Sequence, residues 1–274
     1  MRHALAGSLA VSIGCAPLGV FLVLRRLSLA SDAVAHALLP GIAVGYLLAG
    51  FSIFAMLVGG IVSAMVVALT AGLISRLTIL KEDANLAALY LGSLALGVLL
   101  ISLRENRVDL HSILFGSVLA IGDSGLLLLV SVASISLLVL AAIYRPLLLE
   151  FADPSFLRQI SRSGMVAYFV FIVLVVVNLA SASQAQGTLL AISAMIMPAA
   201  TARFWVASVG SMIGVAMFIG CASSVVGLTV SLYLNIPAGP AIVMAAVIFY
   251  LLSLVFGSRE GLLARYAPRR HLAA

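Results

Sequence analysis

Apolar runs as long as a bilayer is thick restrict this chain more than any other feature, and they recur along nearly its whole length. Between positions 125 and 144 (GLLLLVSVASISLLVLAAIY) no residue carries a charge. A helix of about 20 such residues crosses a hydrocarbon layer roughly 30 Å thick. Lipid offers no partner to an exposed backbone, so only helices or closed barrels can span it. A barrel would alternate polar and apolar residues over segments of about 10, which these runs do not. Spans are read at 5–24, 32–50, 53–75, 84–103, 123–144, 164–181, 187–203, 205–233 and 240–257. Hydrophobic residues are 64% of the chain and charged residues 9%, a balance that would cover a soluble domain in one apolar patch. The expected class is an all-α, polytopic helical membrane protein. Eight or nine transmembrane helices are expected, with one or two short re-entrant or broken segments.

The uncertain count comes from two places. Asp109–Ile121 (DLHSILFGSVLAI) is apolar but too short to span, so a re-entrant or broken segment is expected there. The run 187–203 is also short and contains Pro198. Irregular backbone at membrane depth survives only inside protein or beside a cavity, so both segments point weakly to a pathway.

Charge gives the orientation. With the N-terminus outside, the inner segments collect Arg25, Arg26, Arg76, Lys81, Arg145, Arg158, Arg162, Arg203, Arg259, Arg265, Arg269 and Arg270, leaving Arg2, Arg104 and Arg107 outside. The positive-inside rule therefore favours N-out, C-in. The basic tail is expected to set topology and meet lipid headgroups rather than nucleic acid. The first span runs straight into Arg25-Arg26, as a retained span would and a cleaved leader would not. Cys15 and Cys221 lie within apolar runs and form no CxxC motif.

Few polar residues interrupt the apolar runs. Asp32 and His36, in the stretch SDAVAHALLPG, are four apart and leave one helix face a turn apart. A carboxylate and an imidazole so placed can share a divalent metal ion or handle a proton. The competing reading is structural, with Asp32 capping the helix start and His36 bonded inside the bundle. Pro40-Gly41 is positioned to break this helix and re-aim its first half. Asp109 and His111 are two apart, which on a helix points them to nearly opposite faces. Lys81, Glu82 and Asp83 fit a helix start. Asn235, before Pro237-Ala238-Gly239-Pro240, reads as a turn residue. From Glu150 to Gly164 the chain reads as a short inner amphipathic helix or a solvated loop. Asp153-Pro154 would cap the helix, with Phe156, Leu157 and Ile160 on one face and Arg158 and Arg162 on another. The longest polar stretch, about 145–163, is too short for a core of its own. One membrane domain, residues 1–274, is expected, with any energy-converting or substrate-capturing domain on another chain.

Several stretches together resemble the permease subunits of bacterial ABC importers for zinc, manganese and iron. They are Val23-Leu24-Arg25-Arg26-Leu27-Ser28 running into Asp32–Gly41, Lys81-Glu82-Asp83, Asp109-Leu110 with Leu114-Phe115-Gly116, Met197-Pro198-Ala199-Ala200-Thr201-Ala202, and Pro237-Ala238-Gly239-Pro240. The resemblance implies a multi-pass protein of the bacterial inner membrane. It implies two permease copies forming a two-fold pathway, a cytoplasmic ATP-binding subunit on each, and an extracytoplasmic metal-binding protein. Asp32 and His36 match the family's intramembrane metal-coordinating pair. The segment 153–162 matches its coupling helix, with Asp153, Phe156, Leu157 and Arg158 at the contact. Asp109, His111 and Asn235 are secondary candidates. Asn235 stands where the family often has Asp, which lowers the charge of any site it joins.

The expected function is therefore a permease for a divalent transition-metal ion carried as substrate, with no permanently bound cofactor and with ATP hydrolysed elsewhere. Imidazole with carboxylate suits zinc; manganese favours harder oxygen ligands and comes next, with ferrous iron third. The alternatives are a manganese or iron importer of this type and a proton-coupled secondary transporter. No GxxxxGK[ST] or HExxH motif occurs, and an enzyme is not expected.

Overall fold

The computed structural model describes residues 1–50, 52–77, 82–102, 118, 121–152, 163–259 and 261–263. Among them are nine helices: α1 (Arg2–Leu24), α2 (Ser28–Ala49), α3 (Ile53–Leu77), α4 (Glu82–Ser102), α5 (Asp123–Ala152), α6 (Ser163–Gln186), α7 (Thr188–Arg203), α8 (Val209–Leu234) and α9 (Ala238–Phe256). No strand occurs among the described residues. Seven helices are long and apolar enough to cross a membrane; α4 and α7 contribute the shorter apolar stretches Ala87–Leu100 and Thr188–Arg203. The all-α polytopic class expected from the sequence is the one observed.

The helices divide into two packed groups around α1. In one, α2, α3 and α4 pack on one another; in the other, α7, α8 and α9 do. Between them, α1 packs against α5, α6, α7 and α8. Lipid supplies no hydrophobic drive between helices, so close association depends on small residues that let backbones approach. Gly19 of α1 lies against the Met195 backbone of α7, and Gly227 of α8 against Ile242 of α9. An aromatic group closes one end of α1. Phe21 meets Tyr144, Phe151 and Phe171 edge-on, with centroids 6.1, 5.7 and 6.0 Å away.

Three contacts fix helix directions. His3 Nδ1 lies 3.3 Å from Asp123 Oδ1 where α1 and α5 begin. Where they finish, Arg25 donates to the Glu150 carbonyl at 2.8 Å and sits 4.5 Å over the Phe151 ring. The two helices are thus parallel. Ser12, midway along α1, bonds Ser224 of α8 at 3.0 Å, and further along α1 Ala16 and Val20 cluster with Met212 and Ala216 from earlier in α8, so those two run antiparallel.

Several boundaries differ from the sequence reading. Pro40-Gly41 does not break α2, which runs continuously from Ser28 to Ala49; Gly97 of α4 presses against Leu39 and Pro40 and holds that turn. Asp32 does not cap α2, because the helix starts four residues earlier with Leu27 at the N-cap. The run at 187–203 forms the continuous, half-buried helix Thr188–Arg203 with Pro198 inside and Gly187 at its N-cap. Helix α5 continues past Tyr144 through Arg145-Pro146 to Ala152. Its last turn is held by fully buried Leu147 and by Arg25 on Glu150 and Phe151. Residues Glu150 to Ala152 thus close α5 instead of opening an amphipathic helix. The rest of that expected helix, 153–162, and nearly all of the segment 109–121 lie outside the described residues. Glu82 opens α4, as the acidic pair there suggested.

Candidate metal site

Helix α2 brings the sequence-predicted pair together. Its 3.6-residue period stacks Asp32 and His36 on one face, with His36 Nε2 3.4 Å from Asp32 Oδ1. Their neighbours Ala33, Val34, Ala35 and Ala37 are buried, so the pair is a polar notch in an apolar helix. The two side chains keep 42% and 24% of their surface open, which leaves room for an ion to reach them.

Packing against α3 and α4 fixes the imidazole. Tyr90 of α4 stacks on the His36 ring at 5.9 Å between centroids and 25° between planes. From α3, Ser63 Oγ donates to the Ala37 carbonyl at 2.8 Å. One turn further along α2, Pro40 has no N–H to give the His36 carbonyl. His36 Nδ1 is buried and has no hydrogen-bond partner among the described residues. A ligating imidazole normally donates its second N–H to an outer acceptor, so here the stack, not a hydrogen bond, sets the ring's angle.

Two such side chains alone would not complete a coordination shell. Among the described residues, no group of three or more His, Cys, Asp or Glu side chains converges. Asn235 is exposed in the α8–α9 turn, with its backbone left-handed at φ 52°, the turn role read from the sequence. The antiparallel packing of α1 and α8 puts that turn toward the start of α1, whereas Asp32 follows the end of α1. The structure therefore does not bring Asn235 to the pair. Asp109 and His111 lie outside the described residues, as do Asp153, Phe156, Leu157 and Arg158. Tyr90 escaped the sequence reading, because nothing in its spacing shows that α4 will lay it on His36.

Residues 1–257 match the ABC 3 transport family. The chain belongs to that family. This ABC 3 chain is a metal-ion permease subunit, a multi-pass protein of the bacterial inner membrane, and a transport protein rather than an enzyme. It is 32% identical over 260 residues to the manganese import system permease protein ScaB of Streptococcus parasanguinis, covering 95% of this chain and 91% of the relative. Identity is 33% over 270 residues to the chelated iron transport system membrane protein YfeC of Yersinia pestis, covering 98% and 90%. Among solved structures, PsaBC from Streptococcus pneumoniae in complex with Fab superposes with a TM-score of 0.81 at 31% identity, covering 97% of this chain and 93% of that one. The ABC 3 permease thus shares its fold with that chain over almost its full length.

Proposed function

We propose that this permease carries Mn2+ inward and that Asp32 and His36 bind the ion on its way. The Asp32–His36 arrangement carries the reading, since a carboxylate and an imidazole 3.4 Å apart have no other evident role in an apolar helix. Support for manganese over the zinc expected from the ligand types comes from relatives named for manganese at 30–32% identity. The iron-named relative keeps ferrous iron as the next reading.

The permease works as one part of an ATP-driven transporter with a permease partner, an ATPase subunit and an extracytoplasmic binding protein. In this proposal the partner is a second copy of this chain, and the whole of residues 1–274 is one membrane domain. Two-fold symmetry would then bring two Asp32–His36 pairs to one pathway and supply the ligands that one pair lacks. Residues 153–162 dock on the ATPase through Phe156 and Leu157, with Asp153 capping and Arg158 at the contact. Their place directly after the inner end of α5 supports this reading.

Uptake of labelled Mn2+ and Zn2+ by cells expressing the complete transporter tests the proposal. The Asp32→Ala/His36→Ala double variant, present in the membrane at normal level, is expected to lose Mn2+ uptake. Unchanged uptake would return the pair to a structural role. Wild-type uptake of Zn2+ without Mn2+ would reinstate zinc, and uptake without the ATPase subunit would favour a secondary transporter.

A further inference from the structure

Between α1, α7, α8 and α9 lies a small cavity whose largely apolar wall carries several hydroxyls and one amide, on a different part of the molecule from the Asp32–His36 pair. Its walls include Ser8 and Ser12 of α1, Ser193, Ala194 and Pro198 of α7, and Ser224 of α8, with Gln186 at the end of α6. It has room for about one water-sized occupant. Gln186 is fully buried, yet neither its Nε2 nor its Oε1 has a hydrogen-bond partner among the described residues. Gly7 makes space for this amide; a Cβ there would stand 3.3 Å from Nε2. Buried amides without partners are rare in folded proteins, because each unmet group forfeits its bonds to water.

The chemistry of the walls selects the occupant. Ser8 donates its proton to the Ala4 carbonyl at 2.8 Å, Ser193 to Leu190 at 3.1 Å, and Ser224 to Gly220 at 3.0 Å. With the Ser224 proton spent, Ser12 is the donor in the 3.0 Å Ser12–Ser224 bond. The hydroxyls therefore offer only lone pairs. Pro198 adds an acceptor, for it has no N–H to give the Ala194 carbonyl one turn back. Against these acceptors stands, among the described residues lining the cavity, one unmet donor group, Gln186 Nε2. A cation would satisfy the acceptors but face the Nε2 protons. Among the described residues no carboxylate lines the cavity to balance a cation's charge. Only an occupant that both donates and accepts fits.

We propose that this cavity holds an ordered water that accepts from Gln186 Nε2 and donates to the lone pairs around it. The water gives Pro198, within the Met197–Ala202 motif, a physical setting. A proline inside a membrane helix is tolerated where water or neighbouring side chains satisfy the freed backbone. The water joins the α6–α7 break to α1 and α8 through bonds that solvent can exchange.

Hydroxyl-radical footprinting by X-ray radiolysis of the intact transporter in nanodiscs, read by mass spectrometry, tests this. Radicals formed from a bound water modify side chains beside it even where bulk solvent does not reach. Leu190, which lines the cavity and is buried, is expected to be modified several-fold faster than Leu18 and Leu179, which are buried away from it. Equal rates at all three residues would overturn the proposal, and this comparison needs no variant. In an assembled Gln186→Leu transporter the Leu190 rate is expected to fall to that of Leu18. An undiminished rate would overturn the role of the Gln186 amide.

Discussion

Gly41 of α2 and Gly59 of α3 meet backbone against backbone, with no room for a Cβ on either. The contact continues one turn along, where a Cβ on Gly45 would stand 2.5 Å from the Ala55 carbonyl. It lies just beyond His36 and so fixes the helix that carries the candidate metal pair.

Gly41→Ala or Gly59→Ala is therefore expected to push α2 and α3 apart. Overpacking of this kind costs about 1–3 kcal/mol, and thermal unfolding of the purified transporter would show it as a lower Tm. Gly92→Ala is the control, since no described residue lies within 4 Å of a Cβ there. An equal loss of stability in all three variants would argue against a specific α2–α3 contact.

Tyr90 is expected to act on transport only through its ring. Aromatic stacking contributes about 0.5–1.5 kcal/mol beyond burial, so Tyr90→Ala should weaken Mn2+ uptake by a few-fold to roughly tenfold. Tyr90→Phe keeps the stack and should transport as wild type. Loss of uptake in Tyr90→Phe would mean that the hydroxyl, not the ring, matters.

Arg25 ties the end of α1 to the end of α5. Its bond to the Glu150 carbonyl and its place over Phe151 need a planar guanidinium. Arg25→Lys is expected to lose about 1–2 kcal/mol of stability from the bond and the ring contact together. In a Phe151→Leu background the Arg25→Lys change should cost less, leaving only the part that belongs to the Glu150 bond, a double-mutant cycle read by thermal unfolding. Additive losses would separate the two residues.

Substitution of Phe156 and Leu157 by Ser is expected to release the ATPase subunit. Co-purification from detergent reads this directly. A complex recovered at wild-type yield would move the docking surface away from residues 153–162.

The apolar runs made the helix count legible, because each must cross lipid and little else is compatible with such composition. Helix ends were less legible. Tyr144 looked like the end of a span because Arg145 and Pro146 follow, but α5 continues since Leu147 and Phe151 find buried partners on other helices. Likewise Pro40 suggested a break that the close approach of Gly97 prevents. The Asp32–His36 pair could be read from spacing alone, being a property of one helix. Tyr90 and Gln186 could not, since each gains its surroundings only when distant helices pack.

Helix α1 leaves the ribosome before the other helices described, and every residue from Gly14 to Leu22 is buried. Its neighbours α5, α6, α7 and α8 are all made later. Until they arrive, lipid must stand in for protein around α1, and its apolar sides accept that. Ser8 already bonds its own helix, but Ser12 waits for Ser224, made 212 residues later. A segment made before its neighbours is thus among the last to be enclosed, and a nascent chain halted before α8 would leave one side of its central helix facing the bilayer.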